Sequence, residues 1–522
     1  MTFTTHVLRR ALGSVSLRPS IAHRLLLRRP VARSPLHARV SPIAALAGSV
    51  AGAAGVAAYL THSSPSQNSG PENAATLVPQ IRAFGGDAGR SPPSVTSPVK
   101  ALDVAAATEL LRREQKTKVF DLGNGQRGRC DTIRFASNNP VEDEYSVGSA
   151  PGPGGNPWTF FAVFDGHAGW ATSLLLRDSL IPFVSDALEK LPADATSPQI
   201  SDSITKAFLD LDQKIDDLAL DAINSDAAHP GSPEVLANIA PAISGSCALL
   251  AAYDSSSATV RVACVGDSRA VLGRANPDSK TYTAIPLSTD QTGKNDAEYA
   301  RLTAAHPNEP DLLDRDSGRI LGLAVTRAFG DHRWKWPAGA ISKAQEDHWG
   351  TKPRPHYHTP PYLTAEPVIQ EARVQVGRAD AAGPARSDFL ILASDGFWDH
   401  FSNEDAVACV ARWIDAPRDA RELKPPRPEL DPQWWMVREP DGTPGWKGEP
   451  QFFVAEDDNA ATHLVRNAFG GSRRRLFCGV MSAYPPMSRN VRDDITVQVI
   501  FFGNVREGGV VGMESGKDGG AS

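Results

Sequence analysis

Four aspartates stand at the ends of short apolar runs. Asp165 follows residues 158–164, Asp267 follows 260–265 and Gly266, Asp395 follows 389–394, and Asp493, with Asp494, immediately precedes 495–501. Each run has the length and the β-branched or aromatic content of a buried strand. One aspartate in such a place commonly caps the turn or helix that follows. Four of them delivered by several strands to one place would repel one another, and burying clustered carboxylates is costly unless a cation neutralises them. Oxygen ligands without a thiolate or imidazole cluster favour Mg²⁺ or Mn²⁺ over zinc.

Other chemistries fail on spacing. None of the five cysteines, Cys130, Cys247, Cys264, Cys409 and Cys478, has an arginine six positions on, so no cysteine-based phosphate cradle is present; Cys264 with Arg269 misses by one residue. An odd cysteine count without zinc-type spacing also argues against a disulfide framework. No glycine-rich loop ending in Gly-Lys-Ser/Thr exists, which argues against an NTP-driven enzyme.

The elements that must position these acids read as strands alternating with helical stretches such as 168–188 and 200–220, with no internal repeat. The acids lie within an ordered set of short motifs: Val141-Glu-Asp143, Val163-Phe-Asp-Gly-His-Ala-Gly169, Ser244-Gly-Ser246, Val265-Gly-Asp-Ser-Arg269, Leu321-Gly-Leu-Ala-Val-Thr-Arg-Ala-Phe-Gly-Asp331, Ala393-Ser-Asp-Gly-Phe-Trp398 and Arg492-Asp-Asp-Ile-Thr496. In that order, over residues 116–505, they resemble the protein phosphatase 2C family of metal-dependent serine/threonine phosphatases. Pro360-Pro-Tyr-Leu-Thr-Ala-Glu-Pro367, Asn459-Ala-Ala-Thr-His-Leu-Val-Arg-Asn467 and Arg327-Ala-Phe-Gly-Asp-His-Arg-Trp-Lys-Trp336 are similar to its mitochondrial pyruvate dehydrogenase phosphatase branch.

The resemblance implies an α/β (α+β) sandwich of two mainly antiparallel β-sheets flanked by α-helices. It also implies two Mg²⁺ or Mn²⁺ ions, with Asp165 bridging, the Gly166 carbonyl on one ion, and Asp395 and Asp493 on the other. Glu142 and Asp143 would hold metal-bound waters. Asp267, and less strongly Asp331, either joins a third, weaker metal site or serves its own turn. His167 would protonate the leaving oxygen, since an imidazole titrates near working pH. Family members typically carry an arginine for the substrate phosphate where this chain has Asn138, a departure shared by the pyruvate dehydrogenase branch. Arg129 and Arg134 are the nearby alternatives, although a solvated surface role is the default for either one. Gly245 and its neighbours are expected to allow close backbone packing under the site. The stretch 294–307 falls at the family's flap, where Asp296, Glu298 and Arg301 either meet substrate or solvate a helix face.

Composition separates the ends from the body. The first 71 residues hold eight arginines and no lysine, aspartate or glutamate, which leaves −14 on the rest of a 522-residue chain whose formal charge is −6. A body that acidic is a poor match for nucleic acid. Residues 1–40, basic and acid-free, have the composition of a mitochondrial presequence. Residues 43–60 carry no charge and are long enough for an inner-membrane anchor, with a longer presequence or a small-residue linker as alternatives. Residues 61–115 read as a flexible linker and 506–522 as a disordered tail.

Two stretches look like insertions, 332–362 with Trp334, Trp336 and Trp349, and 416–456 with Trp434, Trp435 and Trp446. Each would either dock a protein or pack as an irregular loop. The expectation is therefore a mitochondrial phosphatase acting on a phosphoprotein, foremost the pyruvate dehydrogenase alpha subunit. Its rivals are a general mitochondrial phosphatase and a pseudophosphatase that only binds.

Overall fold

The computed structural model describes residues 97–510, apart from 417–435 and several shorter stretches. Two antiparallel sheets form its centre. The six-stranded sheet runs Lys116–Gly123, Gln126–Phe135, Ile495–Phe501, Phe389–Ala393, Arg269–Ala275 and Tyr282–Pro286; the five-stranded sheet runs Val368–Arg373, Thr259–Val265, Ala248–Asp254, Pro157–Phe164 and Glu144–Pro151.

Side chains two apart share a face of a strand, and both faces are covered here. Phe161, Val163, Leu249 and Val262 meet Leu272, Leu390, Leu392 and Ile500 between the sheets. Phe160, Ala162 and Phe164 face the other way, onto the helices Ala171–Glu189 and Ser197–Asn224. Phe389, Ile391 and Ala393 likewise pack against Asn403–Asp415 and Ala460–Ala468. This double burial explains why the strands read as nearly unbroken apolar runs, and the layers match the expected sandwich.

Strand direction places the acids. Pro157–Phe164 and Thr259–Val265 both pair antiparallel with Ala248–Asp254, so they run the same way and end at the same edge, Val163 opposite Leu249 and Val265 opposite Ala248. In the other sheet the end of Phe389–Ala393 lies beside the start of Ile495–Phe501, with Ala393 opposite Val497.

Two boundaries differ from expectation. The linker expected over 61–115 contains the helix Val104–Arg112, capped by Asp103, whose carboxylate accepts from the Ala106 amide at 2.9 Å. Ala107 and Leu111, one helical turn apart, are fully buried in the core, and burying a leucine contributes about 2 kcal/mol. The Ser-, Pro- and Gly-rich composition of residues 61–99 dominated the stretch and hid this short apolar helix. The tail expected from 506 begins inside a small hairpin, Val505–Arg506 against Gly509–Val510, in which Val505 faces Val510. β-Branched residues favour such extended pairing. The presequence and the uncharged stretch 43–60 lie outside the described residues, and among those described no helix is long and apolar enough to cross a membrane.

Candidate metal centre and active site

Asp165, Asp267 and Asp395 present carboxylate oxygens that all lie within 4.8 Å of one another. Two come from the five-stranded sheet and one from the other, so the cluster spans the edges of both. The Asp395 amide, opening the short helix Asp395–Trp398, points at Asp165 Oδ2 from 3.4 Å. Burial and then the neighbouring carboxylates Asp395, Asp143 and Asp267 push the Asp165 pKa well up. Asp267 is raised to about 7 by burial and by Asp395. Carboxylates so placed lack a counter-charge, and a divalent cation would supply it.

Glycines allow the approach. Gly266 has φ +99°, and a side chain there would meet Cys247 Sγ at 2.3 Å. At Gly166 an added Cβ would lie 2.2 Å from the Glu142 carbonyl oxygen, so this residue lets the 142–143 loop reach the cluster. Gln291 steadies the Asp267 turn: it is buried, accepts from the Gly266 amide at 2.6 Å and donates to the Cys264 carbonyl at 3.1 Å. Nothing in its spacing marks Gln291 from the sequence alone.

The loop 137–143 is held by Asp494. Its carboxylate accepts from the backbone amides of Ser137, Asn138 (2.9 Å) and Glu142 (2.8 Å) and from the Asn138 side chain (3.2 Å). Glu142 in turn accepts from the Gly169 amide at 2.8 Å and from Asn138 Nδ2 at 3.1 Å. Burial raises its pKa, and the Asp494 charge adds to the rise. Asp143 is buried with both carboxylate oxygens lacking a hydrogen-bond partner. Burial, Asp494 and Asp395 raise it to about 8. An orphaned buried carboxylate beside three converging ones fits a cation-binding site.

Asp493 precedes the strand Ile495–Phe501, which pairs with the one that delivers Asp395. It neighbours Gly396, accepts from the Asp494 amide at 2.6 Å, and is ion-paired with Arg489. Asp267, expected at a third, weaker site, thus lies within the closely spaced trio. The alternatives for the phosphate arginine are both occupied. Arg129 forms a two-point pair with Asp131 at 2.7 and 2.8 Å, and Arg134 pairs with Glu144 at 2.7 Å and Glu114 at 3.3 Å.

His167 lies on the two-residue strand Gly166–His167, which pairs with Gly245–Ser246, and that in turn pairs with Phe329–Gly330. This small sheet sets His167 Nε2 2.6 Å from Asp331 Oδ2. A Cβ at Gly245 would collide with both groups, which bears out the close packing expected there. Burial pulls the His167 pKa down, but Asp331 outweighs it and the net shift is upward.

The flap expectation changes. In the helix Asp296–Ala305, Glu298 is buried and grips Arg327 at 2.7 and 3.0 Å and Arg301 at 2.8 Å, so it neither meets solvent nor waits for substrate. In the first insertion Trp334 and Trp336 are buried, and only Trp349 is strongly exposed at 70%. Trp446 of the second is also buried; Trp434 and Trp435 lie outside the described residues.

A two-sheet sandwich with an acidic, cation-fitting cluster at one edge defines a metal-dependent hydrolase. The protein phosphatase 2C profile matches residues 135–425, and the chain belongs to that family, the metal-dependent serine/threonine phosphatases. A protein phosphatase 2C homolog of Schizosaccharomyces pombe is 39% identical, covering 72% of this chain and 80% of its own length. Pyruvate dehydrogenase (acetyl-transferring)-phosphatase 1, mitochondrial, of Saccharomyces cerevisiae is 34% identical over 72% of this chain and 69% of its own. Phosphatase 2 of the same description from Homo sapiens is 28% identical over 76% and 82%.

Proposed function

We propose that this protein dephosphorylates phosphoserine in mitochondria, with the pyruvate dehydrogenase alpha subunit as substrate. The observation that carries the chemistry is the convergence of Asp165, Asp267 and Asp395 within 4.8 Å. The substrate rests on the similarity to phosphatases so described, and the location on their description together with the acid-free, arginine-rich N-terminus.

Two Mg²⁺ or Mn²⁺ ions held by Asp165, the Gly166 carbonyl, Asp395 and Asp493, with Asp267 available to a third, would activate water at neutral pH and neutralise charge on the phosphoryl group. Around them the chain's own groups act. Glu142 and Asp143, on the loop braced by Asp494, orient water through hydrogen bonds. His167, held by Asp331, protonates the departing serine oxygen, which is a poor leaving group without a proton.

Cells lacking the protein are expected to accumulate phosphorylated pyruvate dehydrogenase alpha subunit, and a fusion lacking residues 1–40 should remain outside mitochondria. Unchanged phosphorylation of that subunit would transfer the reading to another mitochondrial phosphoprotein. Continued import of the truncated fusion would remove the presequence.

A further inference from the structure

A phosphoryl dianion arriving at the acidic cluster needs a cation of its own, and the guanidinium is the side chain whose planar fork matches its oxygens. The arginines on the neighbouring strands and loops are largely committed elsewhere. Arg129 and Arg134 hold carboxylates, as described above. Arg269 is bonded to Asp290 at 2.8 Å and to Asn403 at 3.0 Å. Arg492 is buried and donates to the Val480 carbonyl at 2.6 Å. Asn138 is spent on bracing Glu142 and Asp494.

Arg489 differs from these. Its side chain is 44% exposed, and its ion-pair partner is Asp493, itself a carboxylate for a metal ion to take. An exposed pair four residues apart is ordinarily worth little, but here the partner's fate changes the reading. The turn Met487–Asn490 is fixed on both sides of the arginine. Buried Ser488 donates to the Ser137 carbonyl at 2.5 Å, and the Arg492 amide donates to the Ser488 carbonyl at 2.9 Å. The backbone is thus anchored to the 137–143 loop while the Arg489 side chain stays half-exposed beside Asp493. Its charge is also felt at Glu142, on the same loop.

We propose that Arg489 holds the substrate phosphoryl group, resting on Asp493 until a metal ion takes that carboxylate and frees the guanidinium. The proposal rests on the metal-dependent phosphatase reading. Binding of Mn²⁺ to Asp493 leaves Arg489 without a counter-ion beside the entering dianion, so metal loading and phosphate affinity become linked through this one side chain.

Calorimetry on the full chain tests this without turnover. With Mn²⁺ loaded, Arg489→Gln should weaken binding of inorganic phosphate roughly tenfold or more, the loss expected for a charge-assisted hydrogen-bonded pair, with Arg489→Lys recovering part of it. With Mn²⁺ titrated alone, Arg489→Gln should bind the metal as tightly as the parent or more tightly, because a competing cation has gone. On a phosphoserine peptide the loss should fall in KM more than in kcat. Unchanged phosphate affinity, or weaker Mn²⁺ binding in Arg489→Gln, would overturn the assignment. A parent protein that binds Mn²⁺ and phosphate yet hydrolyses no phosphopeptide would sink the phosphatase reading while leaving the Arg489 contact measurable.

Discussion

His167 Nε2 and Asp331 Oδ2 meet at 2.6 Å across Gly245, joining two motifs that are 164 residues apart. The carboxylate orients the imidazole and favours its protonated form, the one able to give a proton to a leaving oxygen. A general acid matters in proportion to how badly the leaving group needs a proton. His167→Gln should therefore slow phosphoserine hydrolysis roughly a hundredfold while slowing p-nitrophenyl phosphate far less. Asp331→Asn should show the same selectivity in milder form. Equal slowing of the two substrates would assign the pair a positional role only.

The acidic cluster makes the metal-free protein sensitive to pH. Asp267 is raised to about 7 and Asp143 to about 8, both above their unfolded values. A group with a raised folded pKa contributes most below its unfolded pKa, and that contribution is lost as pH rises through the folded value. In EDTA, thermal stability should fall as pH climbs from about 4 through about 8. Saturating Mn²⁺ should remove the fall across neutral pH, because the cation stabilises the charged forms. A metal-free melting curve indifferent to pH would contradict this electrostatic account.

Replacing one member of the trio separates stability from activity. Asp267→Asn removes a like charge from a buried group, so in EDTA near pH 8 the variant should melt higher than the parent. With Mn²⁺ it should gain less stability than the parent and turn over more slowly. Differential scanning calorimetry with and without the metal gives both readings.

The opposite linkage is expected at Glu298. Although burial pushes its pKa up, hydrogen bonds and charge from Arg327 and Arg301 bring it down to about 2. Its stabilisation is present above the ordinary glutamate range near pH 4.5 and is lost as pH falls toward 2. Glu298→Gln leaves Arg327 buried without its counter-charge and should cost about 3 kcal/mol at pH 7 in urea unfolding. The variant's stability should also change less than the parent's between pH 4.5 and 2.

Asp494 is tested by shape against charge. Asp494→Ala releases the amides of Ser137, Asn138 and Glu142 together, and activity should fall at least tenfold with weaker Mn²⁺ binding, since three backbone donors lose their acceptor. Asp494→Asn keeps acceptor capacity on its one carbonyl oxygen and should lie between. Wild-type Mn²⁺ affinity in Asp494→Ala would show that the loop needs no such brace.

The sequence by itself determined the chemistry of the site and the family. Asp165, Asp267 and Asp395 were legible because buried strands leave continuous apolar runs and an acid at the end of such a run stands out locally. The sandwich was legible from the ordered motifs. Pairings between distant segments have no local signature, and these only the tertiary structure decided. Strand direction put Asp267 beside Asp165 and Asp395, and the turn before the last strand put Arg489 beside Asp493. A glycine with no room for a side chain brought Asp331 to His167, and a buried arginine turned Glu298 from a flap residue into a structural anchor. The same holds for Ala107 and Leu111, whose place in the core depends on a surface that forms only when residues hundreds of positions away have folded.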